Sequence, residues 1–252
     1  MADLNQIDRL IAVSHATKQW HCERGLDPSR TFVVHNGIDT TVFSPDETSN
    51  TLPITEAPHS TLNHPKLLFV GQIGVRKGVD SLIDAFLRVA SEIPTAELAI
   101  VGQRYSQKQE AIEYEQGLKQ LVTNSPHSDQ ISWLGIRDDI PNLMRQSTIL
   151  IHPARQEPLG RVLLESAASG LPMIATNVGG TPEILSSPEF DELLVPTESP
   201  AVIAEKVIDL STSTEKLNAI GSQLRAMAIA KFSVENCVSN IDRHYRWLLE
   251  MN

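Results

Sequence analysis

The stretch TILIHPARQEPLGRVLLESAASGLPMIAT, residues 148–176, decides the fold. Its two ends, 148–152 and 172–176, are short apolar runs bounded by proline or glycine, and they predict buried strands. The segment between them, 161–169, has the apolar spacing of a helix. A strand, a helix and a second strand in this order are typical of the βαβ unit of a parallel sheet.

The same alternation of short apolar runs and longer amphipathic segments continues along the rest of the chain. It predicts an α/β fold, a Rossmann-like parallel sheet with helices on both faces, because right-handed crossovers distribute the helices in that way. The remaining predicted strands are 9–13, 31–35, 67–70, 97–101, 131–134 and 192–195, and the remaining predicted helices are 81–93, 107–123, 139–146 and 201–210, with more helix afterwards.

Composition excludes several classes of function. The 252 residues carry a net charge of −10, which argues against binding to nucleic acid or to an anionic membrane. Cys22 and Cys237 lie far apart without a C-x-x-C pair, so neither a disulfide framework nor a zinc site is indicated. No apolar run has the ~18 residues that span a bilayer, and the start MADLNQIDRLIAVS lacks the features of a signal peptide. We therefore expect a cytoplasmic protein.

The chain divides into four segments. Residues 44–65, SPDETSNTLPITEAPHSTLNHP, are rich in Ser, Thr, Pro and Asn and predict a linker. Residues 1–43 hold two predicted strands and one helix, too little for a core of their own, so they must pack on another domain, subunit or partner. Residues 66–230 form the main α/β domain, and 231–252 have the apolar spacing of a helix that docks on the rest.

A cationic glycine loop, GQIGVRKG, follows the predicted strand at 67–70. Ligands of open α/β sheets bind beyond the carboxyl ends of the strands. Glycines there allow close approach of the backbone, and Arg76 and Lys77 supply a guanidinium fork and a point charge, which favours a phosphate grip. The loop matches neither a Walker A motif nor G-x-G-x-x-G, and a solvated basic loop is the alternative interpretation.

Two glutamates follow the predicted strand at 148–152. Pro158 suits the first turn of a helix, which would put Glu157 at the helix entry and Glu165 two turns further on. A carboxylate accepts two hydroxyl hydrogen bonds at once, as in binding a ribose diol or a pair of sugar hydroxyls. The alternative is one glutamate favoured by the helix dipole and one solvated glutamate. The apolar surroundings of Glu165 count against that alternative, because a charge there needs a partner.

Together these residues resemble the retaining glycosyltransferases of family 4, nucleotide-sugar-dependent enzymes of the GT-B fold. The resemblance covers nearly the whole chain, and the E-x7-E from Glu157 to Glu165 is its specific signature. The motifs that carry it are LIAVSHATK, VVHNGID, FVGQIGVRKGVDSLIDAF, AELAIVG, ISWLG and ILIHPARQEPLGRVLLESAASGLPMIATNVGGTPEIL.

The resemblance implies a role for each matching residue. Arg76 and Lys77 would hold the donor pyrophosphate, Glu157 would contact the donor sugar, and Glu165 would bind the ribose hydroxyls. The turn at Gly135 and Ile136 is similar to the shelf that holds the nucleobase. The remaining donor-binding positions implied by the motifs are Gly71, Gly74, Leu159 and Gly160.

The chain also departs from the family pattern. Gln72 stands where the family often has arginine, so Arg76 is expected to supply the guanidinium, and Leu159 stands where an aromatic residue is common. GT-B enzymes have two Rossmann-like domains and bind the acceptor mostly on the N-terminal one. By this resemblance residues 1–43 are a remnant of that domain, and the chain carries the donor half. His15 follows Ser14 at a helix start and is interpreted as a capping or packing residue.

The implied reaction is a hexosyl transfer, with retention, from a nucleoside diphosphate sugar to an acceptor hydroxyl of a lipid, a glycan or a small molecule. No D-x-D motif occurs, so no metal or other cofactor is expected. The alternative is a truncated, non-catalytic nucleotide-sugar-binding module that needs a separate N-terminal half or partner subunit. A glycosidase with the two glutamates as acid and base is the nearest other enzyme class. As a transferase, the chain could also lie at the inner face of the membrane.

Overall fold

A computed structural model describes residues 3–45 and 64–250. The strands within these residues are β1 (Leu10–Ala12), β2 (Thr31–Val33), β3 (Lys66–Val70), β4 (Glu97–Val101), β5 (Ile131–Gly135), β6 (Ile149–His152), β7 (Met173–Thr176) and β8 (Leu194–Val195). The main sheet has six of them, all parallel, in the order β5-β4-β3-β6-β7-β8, and β1 pairs with β2 in a separate parallel sheet.

Helices connect these strands and flank the sheet, which confirms the predicted fold class. The helices of the described residues are α1 (His15–Cys22), α2 (Val79–Glu92), α3 (Gln109–Thr123), α4 (Ile140–Arg145), α5 (Arg161–Ala168), α6 (Thr181–Ile184), α7 (Pro200–Leu210), α8 (Thr214–Phe232) and α9 (Val234–Glu250). Helices α2 and α7 pack against each other, and so do α5 and α8.

The core lies on both sides of the central strands. All four residues of β6 and all four of β7 are buried, because helices cover the sheet on each face. Helix α2 buries Leu82, Phe86 and Val89, which recur at helical spacing, against this sheet. The uninterrupted apolar runs in the sequence reflect this burial on two faces.

One predicted strand is wrong over half of its length. Residues 192–195 were expected to be extended, whereas Pro188–Leu193 forms a 3-10 helix and β8 keeps only the last two positions. Pro188 starts the helical turn with its fixed φ, and Phe190 and Leu193 lie three residues apart and are both buried. A local helical turn therefore buries the apolar residues that resembled a strand.

The first segment packs on the C-terminal helix. The Arg9 guanidinium lies 3.5 Å from the centre of the Trp247 ring, and the rings of Phe32 and His244 are 4.9 Å apart. Val238 and Tyr245, two of the apolar residues expected to dock, are more than half exposed. The predicted linker lies almost wholly outside the described residues, and the division into four segments stays a prediction. No helix in the described ranges is both long and apolar enough to cross a membrane.

Candidate functional site

A cleft of about 530 Å³ lies beyond the carboxyl ends of β3, β4, β5 and β6. Parallel strands bring the loops that follow them to the same edge of the sheet, so residues distant in sequence meet there. The lining residues are Val13, Asn36, Val70, Gly71, Gln72, Lys77, Val101, Gly102, Tyr105, Ile136, Arg137, Ile140, Glu157, Pro158, Leu159, Gly160, Arg161, Val162 and Glu165.

Glycines at the strand ends let the backbones approach closely beneath the cleft. Gly102 follows β4 with φ +125°, and a Cβ atom on it would lie 1.9 Å from the carbonyl oxygen of Gly71. The Gly102 amide donates to the carbonyl of Gly135, at 2.7 Å. Main chain therefore borders this part of the cleft, where a flat or polar ligand group can come close.

Lys77 enters the cleft from the loop after β3. A 3-10 helix, Val75–Lys77, ends at Gly78, which has φ +65°. A Cβ on Gly78 would lie 2.0 Å from the carbonyl oxygen of Pro153, so only glycine lets this loop rest on the loop after β6. The Lys77 ammonium forms an ion pair with Oε2 of Glu157, and both side chains are largely buried.

Glu157 lies in a turn ahead of α5 and not at the entry of the helix. The helix begins at Arg161, after Gly160 with φ +104°, so the expectation that Pro158 occupies the first turn is wrong. The left-handed φ of Gly160 is incompatible with a helix, so Pro158 and Leu159 lie outside α5. Glu157 and Glu165 are thus not on one helix, although both line the cleft.

The turn that carries Glu157 rests on a glycine pair after β7. The Gly180 amide donates to the carbonyl of Glu157, at 3.0 Å. Gly179 has φ +55°, and a Cβ on it would lie 1.9 Å from that same carbonyl oxygen. The glycines of the NVGG segment therefore support the Glu157 turn.

Glu157 is held ionised by the groups around it. His152 Nε2 lies 2.9 Å from Glu157 Oε2, and the two side chains are 1% and 7% exposed. Burial opposes ionisation of the carboxyl, but the His152 hydrogen bond and the Lys77 charge outweigh it and hold the pKa of Glu157 well below its usual range. Because an ionised carboxylate can only accept, His152 is the donor in this hydrogen bond. Burial lowers the pKa of His152, which favours its neutral form.

The negative charge of Glu165 is compensated much less than that of Glu157. Its side chain is 14% exposed, and its ion pair is with Arg161, at 3.8 Å, whose side chain is 75% exposed. Burial raises the pKa of Glu165, and the Arg161 charge only partly opposes this effect. A buried carboxylate with so little compensation, facing a cleft, is suited to accept hydrogen bonds from a ligand's hydroxyl groups.

The structure brings most of the predicted site residues together. Lys77, Glu157 and Glu165 line one cleft, as do Gly71, Ile136, Leu159 and Gly160. Arg76, Gly74 and Gly135 are not among the lining residues. Arg76 is exposed, and its guanidinium donates to the carbonyl of Gln156, at 3.2 Å.

Sequence reasoning missed the residues that fix these loops in place. Arg155 donates to both carboxylate oxygens of Asp80, at 2.8 and 2.6 Å, and to the carbonyl of Val75, at 2.7 Å. It thereby ties the Lys77 loop to the start of α2 and to the loop after β6. A spacing of 75 positions between Asp80 and Arg155 gives no local signal, and His152 appeared only as the end of a strand.

The first segment reaches the cleft through the start of α1. Ser14 accepts from the Thr17 amide, as a helix cap does, and its hydroxyl donates to the carbonyl of Pro158, at 2.5 Å. Glu183 accepts from the amides of His15 and Ala16, at 2.8 and 2.9 Å. In this structure His15 is thus part of a helix N-terminus anchored by Glu183.

Family models match both parts of the chain. The model of glycosyl transferases group 1 matches residues 54–227, and that of glycosyltransferase family 4 matches residues 1–42. The chain belongs to the group 1 glycosyltransferases.

Two relatives are similar to most of this chain. This group 1 glycosyltransferase is 31% identical over 233 residues to the alpha-maltose-1-phosphate synthase of Mycolicibacterium smegmatis, over 90% of this chain and 59% of the relative. It is 29% identical over 219 residues to spore coat protein SA of Bacillus subtilis, over 84% of this chain and 58% of the relative. The chain therefore spans less than two thirds of the length of these curated relatives.

Solved structures confirm the GT-B fold. The crystal structure of Anabaena Alr3699/HepE in complex with UDP and glucose has a TM-score of 0.82 and 24% identity, over 96% of this chain and 64% of that one. The expected Rossmann-like sheet of a GT-B C-terminal domain is thus confirmed.

Proposed function

We propose that this group 1 glycosyltransferase binds a nucleoside diphosphate sugar in the cleft and transfers the sugar to an acceptor hydroxyl with retention. The observation that carries the proposal is the arrangement of Lys77, Glu157 and Glu165 around one cleft. The Lys77 ammonium and the Glu157 carboxylate form an ion pair, and the Glu165 carboxylate, whose charge is only weakly compensated, lies elsewhere in the same cleft. The bound UDP and glucose in the Anabaena structure support a ligand of this class.

Lys77 would take the negative charge that develops on the departing diphosphate. Its side chain is 13% exposed, so solvent screens its charge less than it would that of a surface lysine. Arg161 and Val162 begin helix α5 and line the cleft, and their amides belong to the first turn, whose N–H groups lack acceptors within the helix. A cation and helix-terminal amides set in place beforehand lower the barrier for departure of an anion.

The two carboxylates would grip opposite parts of the donor. Glu157 would accept from hydroxyl groups of the sugar, because it lies beside the cation assigned to the phosphates. Glu165 would accept from the ribose diol. Ile136 and the exposed ring of Tyr105 offer apolar surface for the nucleobase in the same cleft.

No metal is needed in this proposal. Within residues 3–45 and 64–250, no group of three or more His, Cys, Asp or Glu side chains is arranged to hold a metal ion. Lys77 and the α5 amides would replace the divalent cation that other glycosyltransferases use. Arg76, which was also expected to contact the diphosphate, would have to leave the Gln156 carbonyl to do so.

Residues 1–43 would be the last part of an acceptor domain. The second candidate function is a nucleotide-sugar-binding module that is inactive without a separate acceptor-binding half. It is favoured by the 58% and 59% coverage of the curated relatives. A start codon further upstream, or an adjacent reading frame that encodes an N-terminal half, would favour the enzyme over the module.

A ligand panel tests the proposal. UDP, GDP and ADP, and their glucose derivatives, are added to the protein with and without EDTA, and the melting temperature is followed. At least one nucleotide sugar should raise the melting temperature in both conditions, because a ligand that binds only the folded state stabilises it. Failure of the whole panel would reject nucleotide-sugar binding, and a rise that EDTA abolishes would reject only metal independence.

A further inference from the structure

His152 occupies a position that the proposed donor contacts do not explain. It is the last residue of β6, its side chain is 1% exposed, and its Nε2 atom lies 2.9 Å from Oε2 of Glu157. A buried histidine beside a carboxylate at a cleft needs a physical role, because burying both groups costs free energy unless they are well paired.

Lys77 and His152 contact the same oxygen of Glu157. The ammonium and the imidazole both approach Oε2, and Oε1 has no hydrogen-bond partner among the described residues. Oε1 is therefore the oxygen left for a ligand hydroxyl. The direction in which Oε1 points depends on the groups that hold Oε2 in place.

Donor binding creates a conflict at this oxygen. If Lys77 turns to the diphosphate, Glu157 loses its cation while its side chain stays buried. A buried carboxylate without a cation favours the protonated form, which donates a hydrogen bond where an acceptor is needed. The cations near the pair are Lys77, which the phosphates would engage in the proposed complex, and, further out, Arg76, whose guanidinium donates to the Gln156 carbonyl.

We infer that His152 is a positioning residue for Glu157. Its Nε2–H group holds Oε2 after Lys77 has turned to the diphosphate, so that Glu157 stays ionised and Oε1 stays directed at the sugar. The imidazole is suited to this task because it is buried and lies within hydrogen-bond distance of Oε2, and an N–H group of a neutral ring can hold the carboxylate without a positive charge that the phosphates would attract. The positioning of the donor sugar rests on the proposed function, whereas the effect of His152 on the ionisation of Glu157 does not.

The first test needs no ligand. Lys77→Met imitates the loss of the ammonium from Glu157, and the Glu157 carboxyl is titrated by carbon NMR, with Glu157→Gln identifying its signal. With His152 present the pKa of Glu157 should stay below its ordinary value. Adding His152→Leu should raise that pKa above the ordinary value, and adding His152→Gln instead should restore the low one, because the glutamine amide can still donate.

Equal Glu157 pKa values in the Lys77→Met chain with and without His152→Leu would overturn the inference. A second measurement does not depend on how the variants fold. In the wild-type protein, nitrogen NMR should show His152 as the neutral Nε2–H tautomer at about pH 7. A neutral Nδ1–H tautomer would also overturn it, because Nε2 could then not donate to the carboxylate.

A binding experiment connects this role to the sugar. By calorimetry, His152→Leu should weaken UDP-glucose binding on the order of tenfold more than UDP binding, and His152→Gln should restore the preference for UDP-glucose. An unchanged preference in a chain that binds both ligands would overturn the sugar-positioning role. If the wild-type chain binds no member of the nucleotide panel, the proposed function fails while the NMR tests still decide the role of His152.

Discussion

Replacing Glu165 with glutamine should weaken nucleotide binding and stabilise the free protein. The carboxylate faces the cleft at 14% exposure, and its ion pair is a 3.8 Å contact with the exposed Arg161. Two hydrogen bonds from ribose hydroxyls to an ionised acceptor would be replaced by bonds to a neutral amide. Because charged hydrogen bonds contribute about 1.5–3 kcal/mol, we expect a loss of about 2 kcal/mol, roughly 30-fold in Kd.

Calorimetry with UDP and 2′-deoxy-UDP measures this effect. The wild-type chain should prefer the ribose form, and Glu165→Gln should lose most of that preference. Glu205→Gln is the matched control, because Glu205 is exposed on α7 and is not a lining residue of the cleft. An equal loss of affinity for both nucleotides, or no loss for either, would refute the contact between Glu165 and the ribose.

The same substitution changes how stability depends on pH. Burial raises the pKa of Glu165 above its ordinary value of 4.5, so the folded chain binds this proton more tightly than the unfolded chain. The free energy of unfolding therefore falls as pH rises from that value through the raised pKa. Glu165→Gln lacks this loss and should be more stable than wild type at about pH 8, with a smaller difference at about pH 4, by urea denaturation.

Three further predictions concern the cation, the metal and the Glu157 turn. Lys77→Met should weaken UDP binding much more than uridine binding, and equal losses in calorimetry would exclude a phosphate contact. Nucleotide binding should survive EDTA, and loss of binding that added Mg²⁺ restores would contradict the role given to Lys77 and the α5 amides. Gly179→Ala should lower the free energy of unfolding by about 1–3 kcal/mol, because its Cβ would lie 1.9 Å from the Glu157 carbonyl. Gly117→Ala, in the open middle of α3, should instead stabilise by about 0.5–1 kcal/mol.

Much of the fold could be predicted because burial on two faces leaves a strong mark on the sequence. The strands β6 and β7 are wholly buried, so their apolar runs could be recognised without structural information. The structure of residues 188–195 could not be predicted in this way, because a short apolar run is compatible with a 3-10 turn as well as with a strand. The predicted helix 161–169 begins where α5 begins, but the expectation that Pro158 lies in its first turn was wrong, since the positive φ of Gly160 is invisible in sequence.

The candidate site was predictable as far as strand ends could be located. Lys77, Glu157 and Glu165 each follow a recognisable strand, and they meet in one cleft. The direction of a side chain was not predictable: Lys77 turns into the cleft, and its neighbour Arg76 turns to the Gln156 carbonyl. Both are cations in one short turn, so composition could not separate them.

The contacts that fix the cleft depend on pairs of residues far apart in sequence. Arg155 joins Asp80, Gly78 packs on Pro153, and Gly179 packs on the Glu157 carbonyl. A single sequence identifies glycines and arginines but not their partners, because each pairing is created only when the sheet forms. These contacts join protein groups to one another and fix the three loops, so in the proposed complex the donor would mainly have to draw Lys77 away from Glu157. In the proposed transfer Lys77 therefore leaves the Glu157 carboxylate for the diphosphate. The hydrogen bond from the buried His152 then keeps Glu157 ionised without Lys77.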